Sequence, residues 1–144
     1  MKIYSQFLLF ISLSILCLSC QASKFSQCQK LFTIVNESTQ KAKSLTNETS
    51  SDDLTPFKQS AQSLKTSAIK IESLKLTDPI LIEAQANFVK VYNSYSEATL
   101  QMISAQENID RQKANSALLI VSEMTNLEKK TGENLQSYCF NSAN

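Results

Sequence analysis

The stretch AQANFVKVYNSYSEATLQMISAQENI, residues 84–109, decides the fold. Ala84, Phe88, Val91, Tyr95, Ala98, Met102, Ala105 and Ile109 step through it by alternating fours and threes, the spacing of one face of an α-helix. So regular a seam is what packing against neighbouring helices at shallow crossing angles requires. At about 1.5 Å per residue, the helix it predicts is a rod of roughly 40 Å.

Reading outward, ENIDRQ (107–112) turns the chain, with Asp110 as the next helix cap. A fourth helix is expected from about Arg111 to Tyr138, its stripe running through Ala114, Ala117, Leu118, Val121, Met124, Leu127, Leu135 and Tyr138. Gly132 lies inside it, weakens it by up to ~1 kcal/mol relative to Ala and favours a local bend. Upstream, LTDPIL (76–81) places Asp78 as a cap and Pro79 at the first helical position, where its missing N–H is harmless. Thr55 and Pro56 repeat the arrangement for a second helix, whose stripe of Phe57, Ala61, Leu64, Ala68 and Ile71 extends to about Lys75. A first helix is read from about Ser23 to Leu45 on Phe25, Cys28, Phe32, Val35, Thr39 and Ala42, widened by Leu31 and Leu45. The polar run TNETSSDDLT (46–55) connects it to the second.

The chain has one glycine and two prolines in 144 residues, which argues against a turn-rich β fold. Short connections favour antiparallel neighbours, so the expected fold is all-α, an up-down-up-down four-helix bundle.

The N-terminus has a different character. Lys2 precedes a run from Phe7 to Leu18 that is apolar except for Ser12 and Ser14, and small and polar residues follow. These are the parts of a secretory signal, and the run is short for a membrane span. CLSC (17–20) resembles a bacterial lipobox, with Ser19 before the cut and Cys20 becoming the lipidated first residue; it departs from that pattern at Cys17, where Leu is usual. The competing exits are ordinary cleavage after Ala22, releasing a soluble chain from Ser23, and an uncleaved anchor. The expected organisation is a signal at 1–19, a tether at 20–22, the bundle at 23–141 and a tail at 142–144.

Export would take the chain out of the reducing cytosol, where the remaining cysteines, Cys28 and Cys139, favour a disulfide. The topology independently puts the start of the first helix beside the end of the fourth, so the bridge should join first and last helices. Histidine is absent, which removes Ser-His and Cys-His nucleophiles, histidine haem ligation and histidine-containing metal sites. No cofactor and no metal site are expected, and the chain is read as a non-enzyme. Loss of Lys2 with the signal brings the 14 basic residues level with the 13 acidic ones, so there is no electrostatic footprint for nucleic acid or for an anionic membrane surface.

Taken in order, the lipobox-like Cys20, CQKLFTIVN (28–36), FVKVYNSYSEAT (88–99), ENIDRQKANSAL (107–118) and the closing YC (138–139) resemble a group of small uncharacterised lipoproteins of cyanobacteria. The resemblance covers nearly all of the mature chain. It implies a periplasmic or outer-surface address and a helical fold, and it carries no assigned activity.

Three further features bear on function. Glu83, Glu97, Glu107, Asp110, Glu123 and Glu128 lie on the two long helices and read as a solvated face, because carboxylates are rarely buried. Phe88, Tyr92, Tyr95 and Met102 could line a slot for an apolar ligand, although a stripe at this spacing more often is core. Asn36-Glu37-Ser38 and Asn47-Glu48-Thr49 match the glycosylation pattern, which carries meaning in a eukaryotic secretory pathway alone. The leading expectation is a bundle tethered to the membrane through lipid on Cys20 that acts by contact with an unknown protein. The alternative is a secreted soluble bundle that binds a small apolar ligand between its helices.

Overall fold

A computed structural model describes residues 23–46 and 53–140. Cys17, Cys20, the signal run, the tether at 20–22, Asn47 to Thr49 and the tail at 142–144 lie outside those residues. Four helices follow one another: α1 Lys24–Thr46, α2 Thr55–Glu72, α3 Pro79–Asn108 and α4 Arg111–Phe140. They run up, down, up and down, each packed most extensively on the helix next in sequence. Among the described residues there is no strand.

The helix starts follow local chemistry. Asp78 sits in extended backbone before α3, and its Oδ1 accepts from the N–H groups of Ile80 (3.0 Å) and Leu81 (3.2 Å), filling two of the donors every helix start leaves open. Asp110 does the same for α4, taking the N–H of Lys113 at 2.9 Å. Between α3 and α4 the backbone turns at Ile109 in the left-handed region, φ 54°, an unusual conformation for a β-branched residue. The start of α2 differs from the reading above. Thr55 is not the cap: helical geometry already includes it, Leu54 precedes it, and the carboxylate of Asp53 accepts the Thr55 N–H at 2.9 Å. α2 also stops at Glu72 and not Lys75, because Gln85 Nε2 donates to the carbonyls of Ile71 (2.6 Å) and Leu74 (3.0 Å) and holds the chain as it leaves the helix. α4 runs unbroken through Gly132.

The core is centred on α3. Leu81, Ala84, Phe88, Val91 and Tyr92 pack there with Cys28 and Leu31 of α1, Leu64, Ala68 and Ile71 of α2, and Met124 and Leu135 of α4. The seam on α1 includes most of the expected residues: Cys28 and Leu31 are buried and Phe32, Val35 and Ala42 pack against the core at its edge, while Phe25 is 65% exposed and Gln27 and Ser38 are buried in addition. α1 lies mainly on α2, and the Leu31 side of the helix faces that contact.

One inequality shapes the molecule. α3 and α4 have 30 residues each, α1 has 23 and α2 has 18, a difference of about 18 Å in length between the longest and the shortest. α1 also meets α4 over only a short seam, which contains the Cys28–Cys139 bridge and the rings of Phe32 and Phe140, 5.4 Å apart. α4 therefore rests chiefly on α3, and its first half keeps only Ala117 and Met124 buried.

Candidate functional site at the two ends of the bundle

The end where α1 begins is tied together by polar groups from every connection that reaches it. Cys28 and Cys139, 111 residues apart in sequence, are joined with a Cα–Cα distance of 6.0 Å. Next to Cys28, Gln27 is buried and reaches the segment between α2 and α3: its Oε1 accepts the N–H of Thr77 (2.7 Å) and of Asp78 (3.3 Å), and its Nε2 donates to Thr77 Oγ1 (3.1 Å). One amide thus satisfies two backbone donors that no helix serves. Asp78 has one oxygen on the start of α3, and its Oδ2 accepts the hydroxyl of Tyr138, from the last turn of α4, at 2.6 Å. Lys24 Nζ lies 3.7 Å above the Tyr138 ring, a cation–π contact. The Tyr138 hydroxyl, followed by the Ile80 and Leu81 N–H groups, holds the Asp78 carboxyl below the usual carboxylate range, and in return the carboxylate raises the Tyr138 phenol.

Two tyrosines anchor the middle. The Tyr92 hydroxyl, from the core, donates to the Val35 carbonyl at 3.0 Å and lies 3.2 Å from Thr39 Oγ1. Burial pushes its phenol up to about 12. Tyr95 faces α4, donating to Glu128 Oε2 at 2.9 Å and pairing with Thr125 Oγ1 at 3.1 Å. Burial foremost, aided by the Glu128 carboxylate, pushes it also up to about 12.

The far end is built differently. Lys58 and Glu107 form an exposed ion pair at 3.2 Å, and Lys113 Nζ donates to Ser104 Oγ at 2.7 Å. On α4, Leu118 (56% exposed), Leu119 (72%) and Val121 (36%) face solvent. Leu118 and Val121 were expected in the core stripe, but no helix besides α3 covers this part of α4. Beside them a shallow recess of about 260 Å³ is lined by Met102, Ala105, Ile109 and Ala114 with Gln106, Asp110 and Arg111 around it.

The candidate ligand-lining residues are thus separated. Phe88 and Tyr92 are 2% and 1% exposed in the packed core, with ring centroids 6.3 Å apart. Tyr95 spans to α4, and Met102 is in the recess at the far end. Of the carboxylates singled out, Glu107, Asp110, Glu123 and Glu128 are each engaged by a lysine, a helix start or a tyrosine. Among the described residues no three metal-ligating side chains gather, and no described helix is long and apolar enough to cross a membrane.

The roles of Gln27 and Tyr138 were not legible in the sequence. Both are polar or amphipathic residues whose partners lie 50 and 60 positions away, and periodicity carries no information about such pairings. No family model, no curated protein and no solved structure matches this chain.

Proposed function

We propose that the chain is an exported protein held at a membrane by lipid on Cys20, and that it acts without chemistry, by presenting the first half of α4 to another protein of the cell envelope. The observation that carries the reading is the exposed set Leu118, Leu119 and Val121. Leu118 and Val121, three residues apart, share one side of α4 with Ala114 of the flanking recess, and exposed apolar side chains grouped in this way on a small protein mark a contact surface. The flanking recess at Met102 and Ala114 extends the apolar area in the way a helix-in-groove contact uses. The address rests on the signal-like N-terminus and on the resemblance to cyanobacterial lipoproteins, and a disulfide joining distant segments is compatible with an oxidising compartment.

The test is cross-linking in intact cells of the parent chain and of a Leu118→Glu, Leu119→Glu variant. The reading expects a discrete cross-linked species with the parent that the variant loses while retaining its helical spectrum. An unchanged cross-link would place the contact elsewhere. Recovery of an extractable apolar compound with purified protein, and no cross-link, would favour the small-ligand alternative.

A further inference from the structure

We infer that the groove between the first turns of α3 and the second half of α4 binds a small zwitterion, a molecule with an ammonium and a carboxylate on one apolar body, such as an apolar amino acid or its dipeptide. The groove encloses about 290 Å³, near the lower end of the range for small-molecule sites. It shares no residue with the Leu118, Leu119 and Val121 set, so it stands whether or not that set meets a protein.

Its floor is apolar and its walls are polar. Ala84 and Leu135 are buried and Leu127 is half-buried. Glu83 and Asn87 stand one turn apart on α3, and Lys130 and Asn134 stand one turn apart on α4. Each wall therefore offers one charge and one amide, and the acid and the base come from opposite walls. Among the described residues none of these four side chains has a hydrogen bond or an ion pair. Nearby charges on the same helices do: Lys90 meets Glu123 at 3.9 Å and Lys129 meets Glu133 at 4.0 Å. A simple anion in this groove would face Glu83 and a simple cation would face Lys130. A ligand with both charges satisfies the two walls together and sets like against like nowhere.

Thr131 points to a ligand independently. It is 4% exposed and lines the groove, and its hydroxyl makes no hydrogen bond among the described residues. Thr39, Thr66, Thr99 and Thr125 each donate to the carbonyl four residues back, the local way for a helix to satisfy a hydroxyl. Polar groups in residues buried to this degree are as a rule bonded. No fully enclosed side-chain oxygen or nitrogen among the described residues lacks a partner, so the Thr131 oxygen opens onto the groove. A polar group of a ligand seated on the floor supplies the bond that the helix does not.

Titration of the mature protein with L-leucine and with L-leucyl-L-leucine, followed through backbone and side-chain amide signals by NMR, tests the site. The expected result is a saturable shift of the Asn87 and Asn134 side-chain amides with at least one of the two, and the tighter binder gives the length of the body. N-acetyl-leucine lacks the ammonium and leucinamide lacks the carboxylate, and each should bind about tenfold more weakly than leucine. Glu83→Gln and Lys130→Met should each weaken the parent ligand by a similar factor while keeping the helical spectrum. Thr131→Val should weaken binding and leave the thermal midpoint unchanged or higher, since the hydroxyl holds nothing within the fold. No saturation by either compound up to about 10 mM, or shifts confined to residues outside the groove, overturns the site. Capped compounds that bind as well as leucine overturn the zwitterion, because the apolar body alone would then be recognised. A lowered midpoint in Thr131→Val overturns the inference too, since the hydroxyl would then be bonded inside the fold.

Discussion

At the end where α1 starts and α4 stops, a disulfide, a buried glutamine amide and an aspartate–tyrosine bond connect all the segments that meet there. At the other end an exposed Lys58–Glu107 pair and the turn at Ile109 do that work, and α4 leaves Leu118 and Leu119 in water. The difference teaches how a bundle with unequal helices closes. α1 has little direct packing on α4, so among the described residues the ring of four helices is completed by a covalent bond at one end and has no such bond at the other. The closed end is held by bonds between segments distant in sequence, and the other half of α4 leaves Leu118, Leu119 and Val121 exposed.

The largest effect should come from the covalent closure. Cys28→Ser with Cys139→Ser releases a loop of 111 residues, worth about 4 to 5 kcal/mol in the chain-entropy model. Thermal unfolding with and without reductant measures it, and equal midpoints would erase the contrast between the ends. Next comes Gln27→Ala, which removes a buried amide and leaves the Thr77 and Asp78 N–H groups of a part-buried junction to water; it should cost about 1 to 2 kcal/mol. Its counterpart at the far end, Lys58→Ala, breaks a pair whose members are about half exposed and should cost no more than ~0.5 kcal/mol in a denaturant titration. Similar losses for the two would show that neither end is specially held.

Proton linkage sharpens the comparison. Tyr92 and Tyr95 have phenols raised from 10.0 to about 12, so the folded state favours their neutral forms. The stability this contributes is complete below pH 10 and is lost as pH rises from 10 toward 12. For Asp78 at the closed end the sign is opposite. The Asp78 carboxyl is lowered from 3.8, so its contribution is present above that pH and disappears as pH falls through the folded value. Tyr138→Phe removes the first cause of that lowering, and a carboxyl titration by NMR should find Asp78 moved back toward its ordinary value. An unmoved Asp78 would mean that the helix start alone sets it.

Gly132→Ala gives a small effect of the other sign. A Cβ there meets nothing within 4 Å and the site is mid-helix, so the variant should be more stable by up to ~1 kcal/mol in denaturant.

Elements and topology were legible because their signals are local. Asp78 with Pro79 and Asp110 mark helix starts through groups two or three residues away, and antiparallel order then brings Cys28 to Cys139. Which faces are buried was less legible. Ser38, Ser60, Ser63, Ser67, Ser96 and Thr131 are buried, and an apolar pattern skips them. A hydroxyl on a helix can satisfy itself on the carbonyl one turn back, as Ser38 does on Ile34 (2.6 Å) and Ser67 on Ser63 (2.9 Å), so its burial needs no distant partner. These small side chains also let helices approach closely. The opposite error, placing Leu118 and Val121 in the core, came from treating a stripe as covered along its whole length, whereas coverage depends on the lengths of the other helices. The slot residues Phe88, Tyr92, Tyr95 and Met102 share one face of α3, but what stands opposite that face changes from core to open recess along the rod.

The account's central claim joins an address to a fold: a disulfide-closed bundle tethered by Cys20. The intact mass of the mature protein from its native source tests both parts. The account predicts a chain that begins at Cys20, carries acyl groups, and lacks the two thiol hydrogens of Cys28 and Cys139 until it is reduced. A chain that begins at Ser23 without acyl groups, or one whose mass does not change on reduction, would contradict it.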